Sequence, residues 1–408
     1  MLQKTLNPFK YEKGRVRFDD IIIVVFIILI VALITHFTLI DRVGFWRFIY
    51  PIQGQFAIWS ISCSNNSPEW MYRSLKYIIK NQKTLSNQLA YIDKNNQAYS
   101  CQSGWVGHSI ISSRLSVDTR FRYASMTKIV TNDAIIQLIN SGKIKLTDPM
   151  VMFFEELKDK RFKDEQIKEI TIADLLQQRS GFDRMRSEDV VFATDKTPWC
   201  PSQLTKLLDI KLDFEPDLHY AYDNRNTCLL GAVIERVTGE KYRTYIEQQY
   251  LLNQKNIKFV DGFYYPDEVR YDFRNNNYWM ERDDNSFDFQ AVSSSAGLSG
   301  SAINFAKIIK PMIQQQPLNI LSIAQDNLET CKLTEFKSCN GYAMWQYQKD
   351  QTSPIMYFRN GGLPAATSLA MVTAKGDVVV WTSNGATSYD QDYDENFLEN
   401  YFYKVLNP

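Results

Sequence analysis

The hydrophobic positions of the chain form one continuous block near the N-terminus, and shorter periodic segments follow it. The block runs from Ile21 to Ile40 and carries no charged side chain apart from a possible proton on His36. Twenty residues at about 1.5 Å rise per residue span about 30 Å, which is the thickness of the hydrocarbon core of a bilayer. The pattern therefore predicts a single transmembrane helix at residues 21–40.

The charges on either side of the block predict its orientation. The basic residues before it are Lys4, Lys10, Lys13, Arg15 and Arg17, and those directly after it are Arg42 and Arg47. This excess predicts a cytoplasmic tail at residues 1–20 and a translocated C-terminal part. A cleaved signal peptide is the alternative, but its apolar core is about 7–15 residues long and ends at small residues, which Thr35-His36-Phe37 are not. We therefore favour an uncleaved anchor.

The periodic segments after the block predict one α+β domain. Residues 41–66 resemble a stalk, and residues 67–408 form the domain. Apolar spacing predicts a helix from Trp70 to Ile79, and alternation predicts two strands around the turn Asp93–Asn96. A second hairpin is expected around Lys375-Gly376-Asp377, a last helix near 393–406, and an irregular loop at 264–290. This order favours an antiparallel sheet flanked by helices.

Composition excludes several classes of function. The 46 basic and 46 acidic residues balance to a net charge of +0, which gives no general electrostatic reason to bind nucleic acid. The three histidines do not show the spacing of a metal site, and we expect no metal and no organic cofactor. Six cysteines follow the block, and disulfides are expected in an oxidising compartment. We expect Cys331 to pair with Cys339, and the sequence leaves the other pairings open.

Three short motifs carry possible chemistry. Ser125 precedes a run with helical spacing, so Lys128 lies on the same face one turn later. A lysine that is partly buried near a helix N-terminus has a lowered pKa and can take the proton of a serine hydroxyl. An ordinary helix cap and a surface lysine would show the same S-x-x-K pattern.

The second and third motifs add a proton relay and a cationic strand. Tyr222-Asp223-Asn224 offers a hydroxyl that relays protons and an amide that holds a substrate carbonyl. Arg359-Asn360-Gly361-Gly362 ends a predicted strand, where glycines let a substrate approach the main chain and Arg359 provides a fixed charge. Taken singly, the Tyr222-Asp223-Asn224 motif is equally a turn with an Asn cap. The Arg359-Asn360-Gly361-Gly362 motif is equally an ordinary junction between a strand and a turn.

In their order and separation, the three motifs resemble those of the serine β-lactamase and penicillin-binding-protein superfamily, specifically its class C β-lactamase-like branch. The segments FRYASMTK, GKIKLTDPM, TIADLLQQRSGF and SSSAGLSGSAINFAKII also resemble segments of that branch. The resemblance extends from about Lys76 to the C-terminus. It implies an antiparallel sheet flanked by helices, with a mainly helical subdomain between the first two motifs. The site would lie in the cleft between the sheet and this subdomain.

The resemblance also implies roles for individual residues. Ser125 would be the acylated nucleophile, Lys128 its base and Tyr222 the proton shuttle. Asn224 would contact both the substrate and the lysine. Arg359, Asn360, Gly361 and Gly362 would bind substrate, and the N–H groups of Ser125 and Gly362 would form the oxyanion hole. The expected substrate is a small molecule or a peptide, such as a cell-wall peptide ending in D-amino acids, a β-lactam or an ester.

This sequence departs from the family pattern in its third motif, which reads R-N-G instead of K-T-G or H-T-G. Arg359 keeps the charge but does not donate a proton at neutral pH. Asp223 adds a carboxylate that we expect to repel an anionic substrate. The alternative to an enzyme is therefore an inactive, membrane-tethered module that binds cell-wall material or a partner protein. A Ser-His-Asp hydrolase is disfavoured because the chain has no G-x-S-x-G.

The anchor predicts that the domain lies on the periplasmic side of a bacterial cytoplasmic membrane and is held there by a single transmembrane helix. We expect a reporter enzyme that is active only outside the cytoplasm to be active when fused after Pro408. The matched control carries the same reporter directly after Asp20, before the apolar block, and should be inactive. Activity of the control alone would contradict both the orientation and the basis for expecting disulfides.

Overall fold

The computed structural model describes residues 18–82, 84–192, 197–261, 264–270, 288–314, 317–385 and 397–407. Its contacts divide the chain into two units, Met1–Tyr50 and Pro51–Pro408. The first unit contains helix α1, Phe18–Thr35, which continues as a π-helical turn over His36–Ile40. Together these 23 residues are long and apolar enough to cross a membrane, and their side chains are largely exposed. They coincide with the block predicted at residues 21–40.

The remaining helices and strands are interspersed along the chain. The helices are α2 Arg42–Trp59, α3 Glu69–Gln82, α4 Thr127–Asn140, α5 Ile172–Gln177, α6 Asn224–Thr238, α7 Tyr242–Gln249, α8 Ser293–Ala296, α9 Ala302–Met312, α10 Gln325–Thr330 and α11 Phe397–Leu406. The strands are β1 Ser62–Cys63, β2 Asn87–Ile92, β3 Ala98–Ser103, β4 Phe121–Arg122, β5 Lys258–Phe259, β6 Leu298–Gly300, β7 Cys339–Asn340, β8 Trp345–Tyr347, β9 Met356–Leu363, β10 Ala366–Thr373 and β11 Val378–Ser383.

The main sheet has eight antiparallel strands in the order β1-β3-β2-β11-β10-β9-β8-β7. Both predicted hairpins are present, one formed by β2 and β3 and the other by β10 and β11. Strand β11 also pairs with β2 and so joins the two hairpins. Strand β11 is buried along its whole length because helices cover both faces of the sheet. The α+β class and the antiparallel sheet are as predicted.

Two apolar layers hold the sheet between helices. One layer lies on the side of α3 and α11 and contains Met71, Ile78, Phe358, Trp381 and Phe402. The other is larger and joins the sheet to α4, α5, α6 and α9. The second layer matters for function, because it fixes the helices that carry the first two motifs against the strand that carries the third.

Residues 41–66 do not form the stalk that we predicted. Residues Arg42–Trp59 are helical, and Ala57 and Ile58 of this helix are buried. The chain then enters the sheet as β1, where Cys63 is opposite Cys101 of β3 and bonded to it. The apolar positions of this stretch recur with helical spacing, and they bury one face of the helix instead of leaving the segment solvated.

Three disulfides use all six cysteines, namely Cys63–Cys101, Cys200–Cys228 and Cys331–Cys339. The predicted pairing of Cys331 with Cys339 is confirmed. Cys228 lies on α6 one turn after Asn224, so its bond ties the start of this helix to the segment around Cys200. The predicted loop at 264–290 is irregular over residues 264–270, and residues 271–287 of that prediction lie outside the described part.

A buried ion pair supports the segment that leads to Ser125. Strand β4 belongs to a small sheet with β6 and β5 and ends three residues before the serine. The Arg122 Nε donates to Glu268 Oε1 at 2.8 Å, and both side chains are fully buried. Breaking a buried pair by removing one charge is costly because the other charge stays uncompensated.

This ion pair generates a stability prediction for Glu268→Gln. The substitution leaves the Arg122 cation buried without its counter-charge, and we expect the free energy of unfolding to fall by about 3–5 kcal/mol. The measurement is urea denaturation of the full-length chain in detergent. Glu165→Gln is the control, since Glu165 pairs with Lys168 at an exposed site. Equal denaturation midpoints for the two variants would contradict the prediction.

Candidate active site

Ser125 lies on a strained turn at the start of α4. The turn is a single 3-10 helix over Ala124–Met126, and Ala124 has a φ of 50°. This left-handed conformation costs a non-glycine residue about 1–2 kcal/mol. A hydrogen bond from Ser368 Oγ on β10 to the Tyr123 carbonyl, 2.7 Å long, holds the turn against the sheet. Ser125 is partly exposed there among buried neighbours.

Strand β9 passes directly beside this turn. A Cβ atom on Gly361 would lie 2.4 Å from the Tyr123 carbonyl oxygen and 3.0 Å from the Ser125 nitrogen, so only glycine fits. A Cβ on Gly362 would meet no atom within 4 Å, so this residue faces open space. Among the described strands, β8 pairs with β9 only at Met356–Phe358. The edge of β9 from Arg359 onward is therefore open next to Ser125.

The side chains of the first two motifs form one hydrogen-bonded cluster. The Ser125 Oγ lies 2.7 Å from the Tyr222 hydroxyl and 3.1 Å from Lys128 Nζ. Lys128 Nζ also donates to Asn224 Oδ1 at 2.7 Å and to the Ser295 carbonyl at 2.9 Å. The Tyr222 hydroxyl donates to the same Asn224 oxygen at 3.3 Å. Two motifs separated by about a hundred residues therefore meet at one hydroxyl.

The partners of Lys128 fix which atom its lone pair would face. Asn224 Oδ1 and the Ser295 carbonyl only accept hydrogen bonds, so both require an N–H from the lysine. A neutral amine has two N–H groups and one lone pair. The lone pair must then point at Ser125, whose hydroxyl is able to donate. When Lys128 is protonated, the third N–H takes that place.

The electrostatics of the cluster favour proton transfer. Burial lowers the pKa of the Lys128 ammonium below its usual 10.5; Tyr222 and Asp189 oppose this shift, and the Arg359 charge adds to it. Burial alone would raise the pKa of the Tyr222 hydroxyl, but the positive charges of Lys128 and Arg359 hold it below its usual 10.0. Both groups are thus closer to neutral pH than in water, which suits general acid–base chemistry.

Asp189 orients the Asn224 amide, and the sequence analysis did not single it out. Its Oδ2 accepts from Asn224 Nδ2 at 2.6 Å and from the Asn224 backbone N–H at 3.1 Å. The amide nitrogen is thereby turned toward Asp189 and the amide oxygen toward Lys128. Asp189 lies in the loop between α5 and α6, where the chain has no periodic pattern that would have pointed to it.

Asp223 does not act as the repulsive carboxylate that we expected. Its side chain is fully buried and forms an ion pair with Arg225 at 2.6 Å, with a second contact from Arg225 Nε at 2.8 Å. It also caps α6 by accepting from the Arg225 backbone N–H. A buried charge requires a partner, and Arg225, the second residue of the helix, provides it.

Arg359 extends the site from the third motif. The side chain is 2% exposed, and its guanidinium carbon lies 5.7 Å from the centroid of the Tyr222 ring. Side chains alternate along a strand, so Asn360 lies on the same face of β9 as Phe358. Phe358 belongs to the apolar layer on the side of α3 and α11. The structure thus gathers Arg359 and Gly361 with the first two motifs, and it turns Asn360 to the opposite face.

Two further groups near Tyr222 were not anticipated. The backbone carbonyl of Ser295 receives a hydrogen bond from Lys128, and the guanidinium of Arg184 lies 4.7 Å from the Tyr222 ring centroid. A carbonyl leaves no trace in sequence, and Arg184 is one of several charged residues in a loop.

His219 packs on Phe214 with ring centroids 3.8 Å apart. No cluster of three potential metal ligands occurs within the described ranges.

The chain matches a family model described as Beta-lactamase over residues 89–400. Two similar proteins from Dichelobacter nodosus are a probable fimbrial assembly protein FimD of serogroup H1 and a putative FimD of serogroup D. Each is 31% identical over 389 residues, covering 95% of this chain and 96% of the relative.

Solved structures share the fold at low sequence identity. An octameric penicillin-binding protein homologue from Pyrococcus abyssi has a TM-score of 0.61 at 16% identity, covering 83% of this chain and 77% of that chain. A D-amino acid amidase from Ochrobactrum anthropi SV3, complexed with L-phenylalanine, has a TM-score of 0.58 at 17% identity, covering 79% and 93%. A D-stereospecific amidohydrolase from Streptomyces has a TM-score of 0.56 at 18% identity, covering 82% and 94%.

The contact between Asp189 and Asn224 predicts a shift in pH dependence. The carboxylate raises the pKa of Lys128, so Asp189→Asn should lower that pKa further while its amide oxygen still accepts from Asn224. With neutral Lys128 as the base, the midpoint at which Ser125 becomes reactive should move to lower pH. The measurement is the rate of reaction with a fluorophosphonate between pH 5 and 10.

The control for this prediction is Asp217→Asn, which removes a nearby acid that pairs with Arg179 at the surface. Its midpoint should coincide with that of the unmodified chain. An Asp189→Asn profile that stayed in place, or moved to higher pH, would show that the carboxylate does not tune Lys128.

Proposed function

We propose, from the premise that this chain belongs to the beta-lactamase family, that it is a membrane-anchored serine hydrolase acting outside the cytoplasm through an acyl-enzyme at Ser125. The observation that carries the proposal is the cluster in which both Lys128 Nζ and the Tyr222 hydroxyl lie within hydrogen-bond distance of Ser125 Oγ. An activated serine needs such a base, held by a further group, and Asn224 holds this one.

Acylation begins with proton transfer from Ser125. The proton passes to the lone pair of Lys128, directly or through Tyr222, as Oγ attacks the substrate carbonyl. The Ser125 and Gly362 backbone N–H groups stabilise the resulting oxyanion, and Gly361 allows β9 to lie against the turn that carries Ser125. When the tetrahedral intermediate collapses, Tyr222 returns the proton to the leaving group.

Deacylation uses the same groups in reverse. A water molecule attacks the serine ester, loses its proton to the Lys128–Tyr222 pair and releases the acid, while Ser125 regains its proton. Neither half-reaction as proposed uses a metal or an organic cofactor. Arg359 stays charged throughout and stabilises negative charge on Tyr222 at each transfer.

The proposed substrates are acyl donors of modest size: a peptide or amide with D-amino acids, a β-lactam, or an ester. A D-amino acid amidase and a D-stereospecific amidohydrolase share the fold, which supports the first class. The open edge of β9 supports an extended substrate, because an unpaired strand edge offers main-chain donors and acceptors. Cell-wall peptides fit this description on the periplasmic side of a bacterial membrane.

Covalent labelling tests the proposal. The full-length chain in detergent would be treated with a fluorescent penicillin and, separately, with a fluorophosphonate probe. We expect labelling by at least one probe, and its loss in Ser125→Ala and in Lys128→Met, because the serine alone is a weak nucleophile. Ser141→Ala is the matched control at the exposed end of the same helix and should label fully. A folded chain that neither probe labels would contradict the proposal.

A second candidate function is a role in assembling surface fibres without catalysis. It is favoured by the FimD relatives, which match this chain over nearly its whole length. The two candidates differ in their dependence on Ser125. The test is made in cells of the encoding organism. Fibres that persist with Ser125→Ala would favour the role without catalysis. Fibres that are lost with Ser125→Ala but retained with Ser141→Ala would favour the hydrolase.

A further inference from the structure

The side chains on either side of Asn224 form a buried ion pair. Arg225 Nε donates to Asp223 Oδ1 at 2.8 Å, and Arg225 Nη2 donates to Asp223 Oδ2 at 2.6 Å. Asp223 is fully buried, and Arg225 is 4% exposed. A bidentate pair of this kind has a defined geometry, so it restrains the chain at the residue whose amide contacts Lys128.

Arg225 also holds the loop that carries Asp189. Its Nη2 donates to Ser187 Oγ at 2.8 Å, and its guanidinium carbon lies 4.7 Å from the centroid of the Phe182 ring. Ser187 precedes Asp189 by two residues, and Asp189 Oδ2 accepts from Asn224 Nδ2 at 2.6 Å. Two successive residues of α6, Asn224 and Arg225, therefore contact the same loop.

The Ser187 hydroxyl connects this loop to a second segment. Its Oγ accepts from Arg225 and donates to Asp213 Oδ2 at 2.7 Å. The same Asp213 oxygen accepts from the Asp183 backbone N–H at 2.9 Å. The loop before Asp189 is therefore tied to α6 on one side and to the segment of Asp213 on the other.

Arg225 is the cation that three carboxylates of this region share. Burial alone would lower the pKa of its guanidinium, but the carboxylates of Asp223, Asp189 and Asp213 raise that pKa above its ordinary value. Burial raises the pKa of the Asp223 carboxyl; Arg225 opposes this shift, and the charge of Asp189 adds to it. Without the guanidinium, the carboxylates of Asp189 and Asp223 would repel each other.

The orientation of the Asn224 amide depends on the place of this loop. Asp189 accepts from Nδ2 of the amide, which leaves Oδ1 to accept from Lys128 Nζ at 2.7 Å. Without Asp189, the amide would be free to turn and to present its N–H groups to Lys128. An N–H of Asn224 would then compete with the Ser125 hydroxyl for the lone pair of the neutral amine.

We propose that Arg225 is a positioning residue for the reaction, outside the three motifs. Its guanidinium holds the loop of Asp189 on the start of α6, and Asp189 keeps the Asn224 amide oxygen turned toward Lys128. The inference rests on the proposed function, since the lysine is positioned for the same acylation. Arg225 contributes no atom to the reaction, so its effect passes through Asp189.

The rate at which a fluorophosphonate labels Ser125 tests this assignment in the full-length chain in detergent. The rate is taken at a pH above the midpoint of its pH profile, where Lys128 is neutral. We expect Arg225→Lys to lower this rate about tenfold. The reason is that an ammonium keeps the charge but lacks the planar fork that bonds Asp223 and Ser187 together.

Two further variants separate positioning from loss of the fold. Arg236→Lys makes the same change on the same helix, where Arg236 forms a partly exposed pair with Glu156, and should label at the unmodified rate. Ser187→Ala keeps the ion pair of Arg225 with Asp223 and removes only the link to the loop. It should lower the rate about threefold with an unchanged urea midpoint. If Arg225→Lys does not fold, Ser187→Ala takes its place in every comparison.

A double-mutant cycle provides a readout that a merely structural role would not move. Asp189→Ala removes the contact with Asn224 and should itself lower the rate about tenfold; in that background, Arg225→Lys should lower it less than twofold further. Independent, multiplying effects would overturn the inference, as would unmodified rates in both Arg225→Lys and Ser187→Ala. In these cases the unmodified chain still labels, so only the positioning role has failed. A folded unmodified chain that does not label would overturn the proposed function and this inference together.

Discussion

The buried amine of Lys128 is the group on which the geometry of the site depends. It is fully buried, and a nitrogen removed from water requires an acceptor for each N–H. Its partners come from three places: the turn at Ser125, the first residue of α6 at Asn224, and the carbonyl of Ser295 on α8. Satisfying one amine therefore aligns three helices around Ser125. The hydrogen bonds that satisfy this amine also place it beside the hydroxyl that we propose as the nucleophile.

Local spacing made much of this arrangement predictable. Ser125 and Lys128 lie three residues apart at a helix start, which places both on one face whatever the rest of the fold does. The two hairpins were predictable because alternation and turn residues are local signals. The meeting of Lys128 with Tyr222 and Asn224 was not derivable from spacing. It was expected only because the order of the motifs resembles that of a known superfamily.

The parts that sequence did not predict depend on distant partners. Asp189 contacts Asn224 across 35 residues, and Asp223 is neutralised by an arginine that no pattern singles out. The pairing of Cys63 with Cys101 required the register of β1 on β3, which converts the predicted stalk into part of the sheet. Such features follow from tertiary packing of irregular segments, and short-range patterns carry no information about them.

In the proposed reaction, the arginine of the third motif changes the electrostatics of the site. A lysine or histidine at this position is able to lose its charge, whereas a guanidinium does not act as a proton donor at neutral pH. The constant charge of Arg359 lowers the pKa of Lys128 and that of Tyr222 together. It thus favours the neutral amine of Lys128 and the phenolate of Tyr222, which are the forms that accept protons in the proposed mechanism. In the proposed mechanism, an arginine at this position removes a proton donor and leaves a permanent positive charge that favours activation of Ser125.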